Sequence, residues 1–97
     1  MRYVIVLAPE AAEDLNSLKA NIRTIVRAAL ETYLRHKPSK TSRSRIKRLR
    51  GIGRAQYRLR VDDIRIFYDI SNSTVEILAV VSKAEAEAWL RQHAKPE

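Results

Sequence analysis

Two runs of alternating apolar and polar residues stand back to back near the middle of the chain, and they leave few folds open. In residues 55–61, Ala55, Tyr57, Leu59 and Val61 face one way while Gln56, Arg58 and Arg60 face the other. Residues 64–70 repeat the pattern, with Ile64, Ile66, Tyr68 and Ile70 on one side and Arg65, Phe67 and Asp69 on the other. A period of two is that of a β-strand with one buried face. Asp62-Asp63 between the runs suits a tight turn. The segment is therefore expected to be a β-hairpin, and a lone hairpin is marginal in water. The rest of the chain must supply more strands and a cover.

It does so on both flanks. Residues 2–7 are rich in β-branched side chains and short enough for a strand. Residues 75–81 are apolar on both faces, as an internal strand would be, and Ser71–Thr74 supplies the turn before them. Pro9 suits the first turn of a helix, followed by Glu10, Glu13 and Asp14 where the helix dipole favours negative charge. With Ala11, Leu15 and Leu18 as its stripe, this helix is expected over residues 9–19. Asn21 is a candidate N-cap for a second helix. Ile22, Ile25, Val26, Ala29, Leu30, Tyr33 and Leu34 then recur at helical spacing until Pro38 ends the run near His36 or Lys37. Residues 38–44 form a polar linker, and Gly51 and Gly53 mark a bend after the basic IKRLRG. Ser82 and Glu85 match a capping box, opening a last helix from Lys83 to about His93 in which Trp89 is a core anchor. The expected fold class is α+β, a single domain over residues 1–97. It combines a small twisted, mostly antiparallel sheet of about four strands with an N-terminal helical hairpin and a C-terminal helix.

Charge narrows the function. The net charge is +8, but its distribution says more. Between Thr32 and Val61 stand eleven Lys or Arg and no acid, while all eleven acids and the other eight basic residues lie elsewhere. Segregated positive charge points to a polyanionic partner such as nucleic acid. A solvated basic loop is the plainer alternative. There is no cysteine, hence no disulfide and no thiolate metal site, which fits a reducing cytoplasm. His36 and His93 have no second imidazole or carboxylate cluster at ligand spacing, so no metal or other cofactor is assigned. No apolar stretch reaches transmembrane length, and a membrane role is not expected.

With a two-residue turn at Asp62-Asp63, Arg60 falls opposite Arg65 and Arg58 opposite Phe67. Two guanidinium groups facing each other across a ladder repel, and Arg58 adds a third charge to that face. An anion would relieve the repulsion, and planar guanidinium forks suit phosphate oxygens. The competing reading pairs these arginines with Asp62, Asp63, Asp69 or Glu76. Asp69 and Glu76 can reach the face, yet they leave positive charge in excess. No nucleophile triad, phosphate loop or acidic metal cluster is present. Catalysis, if any, would be electrostatic stabilisation of a phosphorane, with an RNA 2′-OH as the nucleophile.

Several stretches together resemble the RelE/ParE superfamily of bacterial toxins, the toxin halves of type II toxin–antitoxin systems. They are Leu49-Arg50-Gly51, Tyr57-Arg58-Leu59-Arg60, Arg65-Ile66-Phe67-Tyr68 and Val80-Val81, with the opening Leu7-Ala8-Pro9-Glu10-Ala11. The resemblance implies a ribosome-dependent mRNA endonuclease (an mRNA interferase that inhibits translation). It casts Arg60 and Arg65 as phosphorane stabilisers and Arg58 as the group that positions the phosphate. Arg45, Lys47, Arg48, Arg50, Arg54 and Lys83 are candidate RNA-binding residues around them. The implied partners are the ribosome, mRNA and a cognate antitoxin with an acidic toxin-binding segment, giving a hetero-oligomer. This chain departs from the RelE pattern after the last strand. Ala84 stands where an arginine is usual, and Trp89 or Leu90 where a tyrosine is usual. A ParE-like inhibitor of DNA gyrase and a non-catalytic basic nucleic-acid-binding module are the alternatives.

Overall fold

The computed structural model describes residues 1–51 and 53–93. The chain runs β1 (Val4–Leu7), α1 (Pro9–Ser17), α2 (Ala20–Ala29) and a π-helical turn (Leu30–Leu34). After it come β2 (Ile46–Arg48), β3 (Tyr57–Val61), β4 (Ile64–Ser71), β5 (Thr74–Ser82) and α3 (Lys83–Gln92). The strands form one mixed sheet in the order β1-β5-β4-β3-β2, antiparallel except where β1 lies parallel to β5. The α+β class and the antiparallel centre are as expected. The sheet has five strands, because the basic segment before the glycines contributes β2.

The two faces of the sheet are covered by different helices. On one, Ala11, Leu15, Val26, Ala29, Leu30 and Leu34 pack against Leu59, Ile66, Tyr68, Val75 and Ile77. This is the helical hairpin burying its apolar stripes on the apolar side of the alternations. α1 ends at Ser17, two residues early, because Leu18 turns extended and Arg23 donates to the carbonyls of Asn16 and Leu18. Lys19, rather than Asn21, occupies the N-cap position of α2, with no side-chain cap. Behind the hairpin, the Tyr68 hydroxyl donates to Pro38 O at 2.6 Å, pinning the start of the polar linker.

The opposite face carries a smaller cluster of Ala55, Phe67, Leu78, Ala79 and Trp89. α3 is held there by its predicted cap, Glu85 N donating to Ser82 Oγ at 3.2 Å. Trp89 lies flat on Phe67, ring centroids 4.4 Å apart and planes 3° from parallel, and is the anchor expected of it. Ala55 corrects the sequence reading. It precedes β3 at φ 73° and packs on the Phe67 side, opposite to Tyr57, Leu59 and Val61. The strand starts at Tyr57, and Gln56 bridges to β4 through its side chain, accepting from Ile70 N at 2.8 Å. Among the described residues, no helix is long and apolar enough to cross a membrane.

Candidate nucleic-acid interface

The β3–β4 turn sets the register of the arginine face. Asp62 takes φ 51°, a left-handed conformation that Asp and Asn tolerate better than most residues. The two-residue loop then pairs Val61 with Ile64, Arg60 with Arg65, Leu59 with Ile66 and Arg58 with Phe67. β2 adds Lys47 directly across from Arg58. Four cationic side chains on three adjacent strands therefore share the face opposite the helical hairpin.

Their surroundings differ. Arg60 is exposed. Arg65 is only 6% exposed, the one buried charged side chain among the described residues. Its Nη1 donates to Asp62 O at 2.8 Å and Ile64 O at 3.1 Å, so it braces the turn. Arg58 is half-buried, and its Nε is shielded from solvent without an acceptor. Burial holds the guanidinium pKa of Arg58 below its ordinary value, helped by the charges of Arg65 and Arg60. Arg65 is lowered by burial and by Arg60, with Asp63 pulling the other way. Both remain cations at neutral pH. Their depressed basicity reports burial first, with the like-charge crowding that the alternation implies adding to it.

The acids do not neutralise this face. The ion pairs among the described residues are Arg35–Glu31, Arg54–Glu76 and Arg91–Glu87, none of which touches Arg58, Arg60 or Arg65. Asp69 accepts from Gln56 N at 2.7 Å instead. Only Arg54 follows the pairing alternative, at 3.4 Å from Glu76 in an exposed position.

The six candidate RNA-binding residues are spread around the molecule. Lys47 joins the arginine face. Lys83 opens α3 beside it, its backbone N–H donating to Asp63 O at 2.7 Å. Arg48 is on the other side of the sheet, its guanidinium 5.1 Å from the Tyr57 ring centre. Arg45 lies 5.2 Å from the ring centre of Tyr33 while donating to Arg60 O. Arg48, Arg50 and Arg54 line a groove in the loop that leads from β2 to β3. Missing from the sequence reading is the role of β2, which brings Lys47 onto the face. Its one apolar residue in three, Ile46, is too little signal for a strand. Its basic side chains suit a sheet edge that must stay unpaired. His93, weighed in the sequence only as a metal ligand and not assigned, stacks on Trp89 at 3.9 Å.

The comparisons agree with this architecture. The family model described as the ParE toxin of the type II toxin–antitoxin system parDE matches residues 5–87. The RelBE2 toxin–antitoxin complex of Mycobacterium tuberculosis contains a chain 25% identical with a TM-score of 0.65, covering 84% of this chain and 99% of that one. A double mutant of Escherichia coli toxin RelE in the free state is 20% identical with a TM-score of 0.71, covering 97% and 95%. The RelB–RelE complex of Methanococcus jannaschii gives 20% and 0.66, covering 87% and 96%. No curated protein matches the chain. A family match over most of the sequence and a shared fold of sheet, helical hairpin and last helix lead to one conclusion. The chain belongs to the RelE/ParE superfamily, within the ParE toxin family of type II toxin–antitoxin systems.

Proposed function

We propose that this toxin acts on RNA, as a ribosome-dependent mRNA endonuclease that arrests translation. The observation that carries the reading is the direct opposition of Arg60 and Arg65, with Arg58 beside them and no acid on any of the three. Exposed Arg60 is placed to grip phosphate oxygens bidentately. Arg58 adds a half-buried guanidinium beside it, and Arg65 supplies fixed positive charge from behind the turn. Such a preorganised cluster would stabilise the charge that develops on a phosphorane. His93, at the C-terminal end of α3 over the same face, is stacked on Trp89 with its Nδ1 engaged by Trp89 O, so proton transfer would rest on the orientation of the RNA 2′-OH. No cofactor enters the scheme. Induced expression should arrest growth and give discrete cuts in translated mRNA, and Arg60→Ala should relieve both. Arrest with intact mRNA would exclude the nuclease.

A second reading, inhibition of DNA gyrase, is favoured by the ParE family match and by Ala84 and Leu90 at the positions where RelE-type toxins carry arginine and tyrosine. A supercoiling assay with purified gyrase separates the two. In either case the partner is a cognate antitoxin. The M. tuberculosis and M. jannaschii relatives are seen in complex with theirs, and a +8 chain calls for an acidic segment. Binding would also stabilise the crowded arginine face by mass action.

A further inference from the structure

The two edges of the sheet are built differently. β2, at one end, exposes Lys47 and Arg48, cations of the kind that keep an edge from pairing. β1, at the other, is Val4–Leu7 and carries no polar side chain. Its ladder to β5 uses alternate residues, Val4 N donating to Ser73 O at 2.8 Å and Ala8 N to Ile77 O at 2.9 Å. Alternation then turns the N–H and C=O of Ile5 and Leu7 to the outer edge, where nothing among the described residues meets them. Tyr3 marks where the cover stops, since its N–H donates to Arg35 O at 2.7 Å and its C=O accepts from Arg35 Nη1 at 2.9 Å. Val4 and Val6, on the face away from the helical hairpin, are 57% and 44% exposed, while Ile5 and Leu7 pack on the hairpin side. An open apolar edge with no charge or proline is a template for another strand.

Charge and register select the strand that covers it. The acidic antitoxin segment proposed above is drawn to the arginine face, which lies on β2, β3 and β4. On the Val6 side of β1, Glu76 stands next to Val6 on β5, and Asp69 next to Glu76 on β4. Those carboxylates disfavour an acidic strand at this edge. A second β1 brings no charge. Run antiparallel to the first about a two-fold axis at Val6, it sets Ile5 opposite Leu7 of the other copy. The two then exchange both N–H···O=C bonds, as a hydrogen-bonded antiparallel pair does. Val6 meets its own counterpart and Val4 meets Ala8, so every side chain in the contact is apolar. Pairing ends where Tyr3 is already bonded to Arg35 and where Pro9 has no N–H. The positive charge of each copy stays remote. Three strand spacings on each side and one across the axis separate the two β3 strands, about 34 Å, far beyond the ~8 Å screening length of physiological salt. We infer that the chain forms a two-fold dimer through β1, one continuous sheet with both arginine faces on the same side. No step of it depends on the RNA reading.

The chain has no cysteine, so a single introduced thiol reports the register. Val6→Cys puts two thiols across the axis in a non-hydrogen-bonded pair, about 4.5 Å between Cα atoms, inside the range of a disulfide. Oxidised glutathione should convert this variant to a linked dimer of twice 11.2 kDa. Val4→Cys, whose two copies lie about 13 Å apart along the strands, should stay unlinked. In sedimentation equilibrium the unmodified chain should dimerise with rising concentration, and Val6→Lys should abolish the dimer while keeping the far-UV spectrum. The proposal is overturned if the unmodified chain stays at 11.2 kDa up to its solubility, if Val6→Cys links no more than Val4→Cys, or if a folded Val6→Lys remains dimeric. It is equally overturned if the Ile5 and Leu7 amides exchange freely in the chain alone and are protected only in its complex with the antitoxin, because the edge then belongs to that partner. Should Val6→Lys fail to fold, the two cysteine variants decide.

Discussion

Arg60 and Arg65 face each other across the β3–β4 ladder, one exposed and the other 6% exposed, and neither has a carboxylate partner among the described residues. The two substitutions should therefore move stability in opposite directions. Arg60→Ala removes like-charge repulsion and should stabilise the protein by about 0.2–1 kcal/mol. Arg65→Ala removes the donor held by Asp62 O and Ile64 O and should cost about 1–3 kcal/mol. Urea unfolding of both variants reads the signs directly. A stabilising Arg65→Ala would mean that the turn does not depend on this side chain.

Trp89 joins α3 to the sheet, and two substitutions separate its bulk from its N–H. Trp89→Ala opens a cavity against Phe67, Leu78 and Ala79, with an expected loss of about 3–5 kcal/mol. Trp89→Phe retains an aromatic stack and deletes the unpaired donor, so its thermal midpoint should stay much closer to wild type. Equal losses in the two variants would mean that indole size alone carries the contact.

The hairpin register was legible because two independent signals agreed. Alternation put Arg58, Arg60 and Arg65 on one face, and a two-residue Asp-Asp turn fixed which of them meet. Ala55 was misread because its left-handed φ of 73° inverts the face, and nothing in an alanine announces that conformation. The irregular pairing of β4 with β5 was hidden as well, since β5 is apolar on both faces and alternation then carries no register information. The π-helical turn at Leu30–Leu34 could not be told from continued α-helix, because Leu30, Tyr33 and Leu34 keep the apolar i, i+3, i+4 spacing. Arg48 left the expected surface because it follows Lys47 on β2 and alternation turns it to the Tyr57 side, and Arg45 because its long side chain reaches the Tyr33 ring.

Tyr68 makes stability sensitive to alkali. Burial raises its phenol pKa far above the ordinary value, with a further contribution from Tyr57. The unfolded chain loses this proton near pH 10, while the folded chain keeps it. Stability from this group is therefore complete below about pH 10 and declines above it, by up to about 1.4 kcal/mol per pH unit. Tyr68→Phe should cost about 0.5–1.5 kcal/mol at neutral pH through the lost bond to Pro38 O. It should also flatten the alkaline slope, which denaturation midpoints measured from pH 9 to 12 would show. An unchanged slope would assign the alkaline loss to other groups.

Asp14 ties α1 to the irregular part of the sheet. Phe67 pairs with Ala79 and Tyr68 with Ile77, so Leu78 is an extra residue in β5. The bulge sends both Leu78 and Ala79 to the Trp89 side, while Val80 returns to the hairpin side. Such a bulge disrupts the ladder locally, and here Val80 N donates to Asp14 Oδ2 at 3.0 Å. Asp14→Ala leaves that partly buried N–H without its acceptor and should cost about 1–3 kcal/mol. Asp14→Asn keeps an oxygen in reach and should cost less. Amide exchange at Val80 is the direct measurement, faster in the alanine variant and near wild type in the asparagine variant. Unchanged exchange in Asp14→Ala would show that the bulge finds its acceptor elsewhere, and that α1 is held to the sheet by Ala11 and Leu15 alone.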